Sequence, residues 1–482
     1  MKLKTAKKQI TYKLKRHKPR MVREVTSATI TAYQTEINNN LKDTKKDYGI
    51  VFTPERIVDL MVNLIDHSLF GNKKNINILE PACGLAQFLI GIKRNLPDLF
   101  NSANLCGVEI NDEIVKYLTT LEVGNNIKLI KTDYLIWHQD MFFDLIIGNP
   151  PYGIPSLSEH YAIKVDAATK EQYRNAFETW YGKYNVYGAF IEKSIKMLKP
   201  NGQLIFIIPP TFMILDDFKK LRTFLSKHGM TKIIYLGPDV FKPDADVTSV
   251  ILEFHKSDAH AGNLKLLEYN AGKIIAVKVA QNWQGEVVKF ETEYTKQLEG
   301  VCSHLLSDIY DISVSPRTTE IKHNPNITTI ASSNGHNYLP ILNGRNLKCH
   351  RIIYDNLTGY WIKKSDAKKL RGYFETPHIV IGLGFREDGR VAAACDQKCY
   401  PWMGDVYHLL KKDNLFGGGF DLTEEEILGY LNSDYLKRYV KETYREITYH
   451  LSITQIKNFP LPSKKEWQEI KRKDFGKWLL ES

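Results

Sequence analysis

The segment from Asp144 to Tyr152 constrains the fold more than any other part of the sequence, because it joins a buried strand to a rigid turn. The apolar run Leu145–Ile147 is typical of a central parallel strand, and Gly148 ends it. Two prolines then fix the backbone of an Asn-Pro-Pro-Tyr loop at the carboxyl end of the strand, where open α/β sheets bind ligands. The loop offers an amide, carbonyls and an aromatic ring, which together suit a planar amine. An ordinary proline turn is the alternative interpretation.

Strands and helices alternate from Tyr48 to about Lys289, the pattern of a doubly wound α/β sheet. Thr-Pro-Glu at positions 53–55 predicts a helix start, with Thr53 as the N-cap and Pro54 in the first turn. The predicted strands are Ile76–Leu79, Leu105–Val108, Ile127–Ile130, Leu145–Ile147, Leu204–Ile208, Lys232–Tyr235 and Ser249–Phe254.

The pattern changes beyond about Phe290, where short, turn-rich segments place His, Tyr and Trp among Lys and Arg. Gly417–Gly419 predicts a flexible link before a helical stretch, Thr423–Tyr444. We therefore expect three parts: a basic N-terminal tail at 1–47, an α/β domain at 48–289 and a separate α+β domain at 290–482.

The net charge of +11 is unevenly distributed along the chain. Residues 1–23 contain ten Lys or Arg and no acid, which leaves the rest of the chain near +1. A basic arm of this kind is typical of phosphate contacts with nucleic acid, and a solvated leader is the alternative.

The composition excludes several classes of protein. No apolar run approaches the roughly 18 residues of a membrane span, and the charged N-terminus lacks the apolar core of a secretory signal. The six cysteines are scattered, and their spacing with the histidines is not that of a zinc site. We expect a cytoplasmic protein with reduced thiols, no metal and no membrane partner.

Three further strand ends carry residues suited to a nucleoside ligand. A strand runs into a small-residue loop and a helix at Glu80–Gly84, where a ligand can approach the backbone closely. Glu109 ends the next strand, where nucleoside-binding sheets hold a ribose diol, and Asp133 ends the third, where it can accept from an adenine amine. The Gly-x-Gly-x-x-Gly fingerprint is absent, with Ala86 in place of a second glycine, which favours S-adenosylmethionine over a dinucleotide.

In the order of these motifs the chain resembles the gamma-class adenine-specific DNA methyltransferases, and within them the TaqI-like enzymes. The matching segments are Thr53-Pro54, Glu80-Pro81-Ala82-Cys83-Gly84, Gly107-Val108-Glu109, Asp133-Tyr134-Leu135-Ile136-Trp137, Asn149-Pro150-Pro151-Tyr152, Lys183–Phe190, Gly237–Phe241, Leu342–Lys348 and Ala394–Trp402. The resemblance covers about residues 48–460. It implies a Rossmann-like S-adenosylmethionine-dependent methyltransferase sheet, followed by an α+β DNA target recognition domain.

The resemblance also implies roles for individual residues. Those expected to bind S-adenosylmethionine are Thr53, Glu80, Ala82 and Cys83 at the methionine end, Glu109 at the ribose, Asp133 at the adenine amine, Ile110 and Phe190 around the adenine ring, and Pro81, Gly84 and Tyr134 beside them. In the catalytic loop, Asn149 and the carbonyl of Pro150 are expected to accept hydrogen bonds from the target amine, with Pro151 next to them. Tyr152 and Phe241 are expected to enclose the flipped adenine.

The second domain supplies candidate DNA contacts, namely Arg345, Lys348, Arg386 and Arg390. Arg345 is favoured because it lies in the matching Gly-Arg-Asn segment. Arg386 and Arg390 flank Glu-Asp-Gly, which predicts a hairpin tip able to enter a groove. For each of these residues a solvated surface charge is the alternative.

The sequence thus predicts a monomeric, site-specific DNA methyltransferase that modifies N6 of a flipped adenine in a short double-stranded sequence. It would protect host DNA from a separate, cognate restriction endonuclease. The alternatives are an amino-methyltransferase acting on cytosine N4, RNA or protein through the same loop, the methylase part of a fused restriction enzyme, and a DNA-binding module with an inactive site. The large second domain argues against an RNA or protein substrate, the short and acid-poor segment 1–47 against a fused nuclease, and the intact loop against an inactive module. A cytosine-N4 enzyme stays open.

Overall fold

The computed structural model describes residues 10–12, 27–40, 49, 51–71, 75–120, 127–156, 162–329, 337–385, 388–404, 406–412, 420–445, 447 and 450–472. The chain divides into two compact units, Met1–Val288 and Lys289–Ser482. Within the described ranges, no helix combines the length and the hydrophobicity that are needed to cross a bilayer.

A mixed β-sheet forms the centre of the first unit. Its strands are β1 (Ile10–Tyr12), β2 (Asn77–Pro81), β3 (Asn104–Glu109), β4 (Ile127–Lys131), β5 (Phe143–Gly148), β6 (Ile154–Pro155), β7 (Ala162–Ile163), β8 (Leu198–Ile208), β9 (Gly229–Gly237), β10 (Ser249–Lys256), β11 (Leu264–Asn270) and β12 (Lys273–Ala280). Strands β6 and β7 pair with each other, and the other described strands form one sheet in the order β1-β4-β3-β2-β5-β8-β10-β9-β11-β12. Strands β4, β3, β2, β5 and β8 are parallel, and Leu145–Ile147 of β5 is fully buried, as expected for a strand covered on both faces.

The strand order reverses between β2 and β5. The chain passes from β2 to β3 and β4 on one side and returns to β5 on the other, so that Leu79 of β2 pairs with both Cys106 and Ile146. At such a switch point the loops that follow the two strands diverge and leave a crevice. The segments after Pro81 and Gly148 border this crevice.

Helices pack around the sheet of the first unit. They are α1 (Ser27–Asn40), α2 (Glu55–Val62), α3 (Gln87–Asn95), α4 (Pro97–Ser102), α5 (Asp112–Leu118), α6 (Ala167–Ala176), α7 (Val186–Met197) and α8 (Lys219–His228). Helix α1 lies in the segment predicted as a tail, yet its Ile30, Tyr33 and Ile37 are buried in the same core as residues of α2 and α3. Residues 27–40 are therefore part of the folded unit, because this apolar stripe needs a partner.

The second unit is α+β. Its strands are β13 (His304–Leu305), β14 (Tyr310–Val314), β15 (Ile327–Thr328), β16 (Tyr338–Pro340), β17 (Leu347–Lys348), β18 (Arg351–Ile352), β19 (Trp361–Lys363), β20 (His378–Phe385), β21 (Val391–Asp396), β22 (Val406–Lys411) and β23 (Pro460–Leu461). Its helices are α9 (Glu293–Val301), α10 (Leu306–Ile309), α11 (Thr318–Lys322), α12 (Lys364–Ala367), α13 (Glu424–Leu431), α14 (Asp434–Tyr444), α15 (Ile453–Lys457) and α16 (Lys464–Arg472). The largest described sheet of this unit has the order β14-β22-β20-β21.

The structure tests two predictions for the second unit. Strands β20 and β21 pair antiparallel, so the predicted hairpin around residues 386–390 is confirmed. The helical stretch predicted over Thr423–Tyr444 is confirmed and consists of two helices, α13 and α14, which are separated at Asn432 and Ser433. Asn432 exchanges hydrogen bonds with the backbone of Ala393, and Ser433 caps α14 by accepting from the N–H of Leu436. The link predicted at Gly417–Gly419 lies outside the described residues.

Candidate active site

A cleft with about 730 Å³ of empty space lies at the switch point between β2 and β5. Its lining includes most of the predicted site residues, namely Thr53, Glu80, Ala82, Cys83, Gly84, Glu109, Ile110, Tyr134, Asn149, Pro150, Pro151 and Phe190. Four others, Pro81, Asp133, Tyr152 and Phe241, are not part of that lining. The structure thus brings residues of six separate motifs to one cavity.

The loop after β2 owes its shape to left-handed backbone at Ala82, Gly84 and Ala86, whose φ angles are 53°, 54° and 55°. The loop is held by two hydrogen bonds, from the Cys83 N–H to the Val108 carbonyl (2.8 Å) and from the Ala86 N–H to the Cys83 carbonyl (2.7 Å). Left-handed backbone costs an L-residue about 1–2 kcal/mol. Ala86 stands where a second glycine would be expected. It keeps the left-handed turn, and its side chain makes that turn more strained.

The carboxylate of Glu80 lies at the N-terminus of α3, where it accepts from the N–H groups of Phe88 (3.3 Å) and Leu89 (3.0 Å). The side chain is buried, and this desolvation raises the pKa of Glu80 to about 8, against the opposing effect of the two hydrogen bonds. A cation placed next to this group would stabilise its charged form.

Glu109 closes the loop from the neighbouring strand. One carboxylate oxygen accepts from the N–H groups of Ile110 (3.0 Å) and Asn111 (2.8 Å), and the other accepts from the N–H of Gly84 (2.9 Å). Burial raises the pKa of Glu109 as well. The oxygen with one donor keeps a lone pair that can accept from a further hydroxyl.

Asp133 follows β4 and caps the short helical turn Tyr134–Ile136, since one of its oxygens accepts from the N–H of Leu135 (2.9 Å). Its second oxygen accepts from the hydroxyl of Tyr173 at 2.5 Å. Asp133 stands between Thr132 and Tyr134, both of which line the cleft, and burial raises its pKa. The contact with Tyr173 has no signal in the sequence, because the two residues are 40 positions apart.

An apolar slot lies beside Asp133. Ile110 is 43% exposed on one side, whereas Phe190 is buried and its ring centroid lies 5.0 Å from that of Tyr134. An exposed isoleucine opposite an aromatic ring is a suitable place for a flat, apolar ligand face.

Asn149 is fixed by both ends of its amide. Its Nδ2 donates to the Val51 carbonyl (3.0 Å) and to Thr53 Oγ1 (3.1 Å), and its Oδ1 accepts from the Tyr152 hydroxyl (2.5 Å). The prediction of Thr53 as the N-cap of α2 is wrong: the N-cap is Pro54, and the Thr53 hydroxyl is occupied by Asn149. Among the described residues, no main-chain donor contacts the carbonyl of Pro150.

The two rings predicted to enclose a base are placed differently. The Tyr152 hydroxyl also lies 2.9 Å from the Ile207 carbonyl, so its single hydrogen is shared between Asn149 Oδ1 and this oxygen, and its ring meets Tyr187 edge to face with centroids 6.4 Å apart. Phe241 is only 2% exposed and packs in the hydrophobic core of the unit. In this conformation Phe241 is therefore not available for stacking, because its apolar ring is fully packed.

Three further residues shape the site, and the sequence analysis does not identify them. Gln87 exchanges hydrogen bonds with the backbone N–H (3.1 Å) and carbonyl (2.8 Å) of Thr53, which fixes one wall of the cleft. A Cβ on Gly49 would lie 2.7 Å from the carbonyl oxygen of Tyr152, so the backbones can approach only at a glycine. Asn185 Oδ1 accepts from the N–H of Gly153 (2.9 Å), which joins the loop to the start of α7.

Cys83 lines the cleft but is a poor nucleophile. Burial, followed by the neighbouring Glu109 carboxylate, holds the pKa of its thiol well above the ordinary value. This agrees with a structural role for Cys83 as a small, apolar loop residue.

The candidate DNA contacts of the second unit differ in how far other groups of the protein already bind their charged side chains. Arg345 and Lys348 are exposed, and Arg345 donates to the carbonyl of Leu357 (2.5 Å). Arg390 forms ion pairs with Asp388 (2.9 Å) and Asp434 (2.6 Å), so its guanidinium is already engaged. Arg386 lies outside the described residues.

Comparisons with known proteins match the two units separately. The family model described as Eco57I restriction-modification methylase matches residues 56–241, and the TaqI-like C-terminal specificity domain matches residues 339–461. The type II methyltransferase M.TthHB8I of Thermus thermophilus is 35% identical over 426 residues, 87% of this chain and 92% of that protein. The modification methylase CviBIII of Paramecium bursaria Chlorella virus NC1A is 30% identical over 184 residues, 38% of this chain and 43% of that protein.

A solved structure shares the fold over most of the chain. It is a nuclease-deletion mutant of the Type ISP restriction-modification enzyme LlaGI in complex with a DNA substrate mimic, with 14% identity and a TM-score of 0.58. The match covers 93% of this chain and 48% of that one.

Proposed function

This chain belongs to the TaqI-like type II DNA methyltransferases, and on that premise we propose that it methylates N6 of an adenine flipped out of a short double-stranded DNA sequence. The observation that supports this most is the pair of acceptors in the cleft wall. Asn149 Oδ1 lies in the same loop as the carbonyl of Pro150, and both residues line the cleft that contains Glu80 and Glu109.

S-adenosylmethionine is the cofactor of this fold and family, and the cleft residues fit it. Bound S-adenosylmethionine supplies a methyl group on a positively charged sulfur. We assign Glu80, with Thr53 and the loop Ala82–Gly84, to its methionine end, because a buried carboxylate of raised pKa gains most from an ammonium. Glu109 would hold the ribose through its free lone pair.

The adenine subsite in this proposal is formed by Asp133, Ile110, Tyr134 and Phe190. Ile110 and Phe190 offer two apolar faces for a flat ring. Asp133, at the end of β4, would accept from the exocyclic amine of the cofactor.

The target amine is a weak nucleophile, since its lone pair is delocalised into the adenine ring. Asn149 Oδ1 and the Pro150 carbonyl would each accept one of its N–H bonds, which favours a pyramidal nitrogen and frees the lone pair for attack. This mechanism relies on positioning and on fixed dipoles in a site that excludes water. It needs no covalent intermediate with the enzyme.

The target base must leave the duplex to reach the loop, at a cost of about a few kcal/mol. Stacking on the Tyr152 ring would offset part of that cost, because base–aromatic stacking contributes about 1–3 kcal/mol. The hydrogen bond from the Tyr152 hydroxyl also restrains Asn149 Oδ1, the proposed acceptor for the target amine. Phe241 would join Tyr152 only after leaving its position in the core.

We assign sequence recognition to the second unit, with the exposed Arg345 and Lys348 as DNA contacts. We also propose that the enzyme is monomeric. Its methylation would protect host DNA from a separate restriction endonuclease.

The decisive experiment is modified-base sequencing of DNA from a methylation-free host that expresses the chain, with Asn149→Ala as the matched control. N6-methyladenine at one short motif, absent in the control, is the expected result. N4-methylcytosine at a motif would replace the proposed target with cytosine. Unmodified DNA from a folded, cofactor-binding protein would contradict the proposal and favour RNA or protein as the substrate.

A further inference from the structure

Helix α6 contributes one buried side chain to the first unit. Along Ala167–Ala176 only Tyr173 is buried, and it is 5% exposed. Its hydroxyl donates to the Oδ2 atom of Asp133 at 2.5 Å, and its ring lies 6.3 Å from that of Trp180. The helix thus reaches the cofactor side of the sheet through a single phenol.

The carboxylate of Asp133 is held by donors from different elements. The N–H of Leu135 binds one oxygen, and Tyr173 supplies the only side-chain hydrogen bond in the described part of the chain. Lys193 faces the same carboxylate from α7, but its ammonium is directed to the carbonyls of Leu135 (3.1 Å) and Trp137 (2.7 Å). Among the described residues, Tyr173 is therefore the one side chain whose hydrogen bond restrains rotation of the carboxylate, in addition to the main-chain N–H groups of Leu135 and Ile136.

Each carboxylate oxygen has two acceptor sites, and one site on each is occupied in this arrangement. The remaining site on each oxygen points in a fixed direction only while the carboxylate plane is fixed. Without the phenol, Asp133 would keep only the main-chain N–H groups of its own turn, from Leu135 and Ile136, and could rotate away from a ligand. Preorganised acceptors bind more strongly because they lose less freedom on binding.

We infer that Tyr173 is a positioning residue for the cofactor, which orients Asp133 to accept from the exocyclic amine of the cofactor adenine. The inference rests on the role proposed above for Asp133. It adds the residue that makes the subsite selective for an amino group over a carbonyl at that position of the purine ring. It also makes α6 part of the cofactor site, although Tyr173 does not line the cleft.

Two ligands distinguish this role from a structural one. S-adenosylhomocysteine carries the 6-amino group, and S-inosylhomocysteine carries a carbonyl oxygen in its place. Calorimetric titration of the full chain with each ligand, in the wild type and in Tyr173→Phe, gives four dissociation constants. We expect the variant to bind S-adenosylhomocysteine about tenfold more weakly and S-inosylhomocysteine within twofold of the wild type, because the lost bond supports only an amine contact.

Tyr181→Phe is the matched control, since Tyr181 is 53% exposed and follows α6 without a contact to Asp133. It should change neither constant. Equal weakening of both ligands by Tyr173→Phe would overturn the inference, because it would show a purely structural effect of the phenol. Unchanged binding of both ligands would overturn it as well.

Asp133→Asn separates this inference from the function on which it rests. Preference for the amino ligand should fall in this variant, since a carboxamide can present a donor to the inosine carbonyl. An unchanged preference would refute the role of Asp133 and, with it, that of Tyr173. These titrations need no DNA, so failure of adenine methylation in the sequencing experiment would leave their outcome unaffected.

Discussion

Both units of the chain bury polar side chains, but they satisfy them in different ways. In the first unit the carboxylates of Glu80 and Glu109 are buried at the wall of the cleft and accept from main-chain N–H groups. Their pKa values are raised by burial. They are incompletely compensated charges beside an open space, which is the condition under which a ligand can stabilise them.

In the second unit, the buried Asp396 and His408 are satisfied by groups of the fold itself. Asp396 accepts from the Tyr354 hydroxyl (3.0 Å), the Trp402 indole (2.8 Å) and the N–H groups of three residues that follow it. His408 lies between His378 (2.8 Å) and the Ser315 hydroxyl (2.8 Å). If this unit recognises DNA as proposed, exposed residues such as Arg345 would make the contacts.

The difference shows that burial of a polar residue does not by itself indicate function. What matters is whether the fold has used all of its hydrogen-bonding capacity. Glu109 keeps a free acceptor site at the cleft, whereas Asp396 and His408 have their hydrogen-bonding atoms engaged by neighbouring groups.

The largest expected effect is that of Asn149→Ala in the first unit. Loss of one of the two acceptors should lower the rate of methyl transfer about 1,000-fold, by analogy with the removal of a single transition-state hydrogen bond. S-adenosylhomocysteine should bind within a few-fold of the wild type, as measured by calorimetry. Substantial residual turnover in a single-turnover assay would refute the role of Asn149.

Asp396→Ala should have the largest effect on stability in the second unit. It leaves several buried donors without an acceptor, so we expect the free energy of unfolding to fall by about 3–5 kcal/mol. Urea titration followed by unit-resolved hydrogen exchange measures this. The control, Asp388→Asn, removes an exposed ion pair with Arg390 and should cost less than about 1 kcal/mol. A similar loss of unfolding free energy in the two variants would show that the buried Asp396 is no more important for stability than the ion pair of Asp388.

Glu80 makes the stability of the cofactor-free first unit fall as pH rises. Its folded pKa is about 8, so the folded state keeps a proton that the unfolded chain releases above about pH 4.5. Between these values the free energy of unfolding should decrease by up to about 1.4 kcal/mol per pH unit. Glu80→Gln should reduce this slope, as measured by denaturant titration at several pH values, and Glu109 and Asp133 should maintain the rest because their pKa values are raised as well. The exposed Glu113→Gln should leave the slope unchanged.

His408 makes the stability of the second unit respond to pH in the opposite direction, in a window that lies at lower pH. Desolvation, followed by His378, lowers the pKa of His408 to about 3, so it stays neutral in the folded state. The unfolded chain gains a proton below about pH 6.5, and stability should be lost as pH falls through that value toward 3. Unit-resolved hydrogen exchange at pH 7 and 5.5 should show a smaller loss in His408→Gln than in the wild type. An equal loss of protection in the two proteins would mean that other groups cause the pH dependence. His323→Gln, at an exposed position, is the control.

Much of the first unit could be predicted from the sequence because its signals are local. Each predicted strand is present, and the motifs that follow β2, β3 and β5 are contiguous and meet at one edge. Strands β11 and β12 are not among the predictions, since most of β12 is exposed and its residues lack a buried apolar pattern.

The parts of the site that escaped prediction depend on pairs distant in the sequence. Thr53 pairs with Gln87 and Asn149, 34 and 96 positions away, and this contact prevents it from capping α2. Phe241 illustrates the reverse problem, because its position in a motif does not reveal that its ring packs in the core. Tertiary packing decides such cases and local propensity does not.

The pairing of β1 with β4 has a consequence for the charged N-terminus. Ile10 is paired with Lys131 and Tyr12 with Leu129, so this short strand anchors the chain at the edge of the sheet, close to where β4 ends. All ten basic residues of segment 1–23 lie within a dozen positions of that anchor. Chain length alone then keeps each of these charges within about 40 Å of this edge, since a polypeptide spans at most about 3.6 Å per residue.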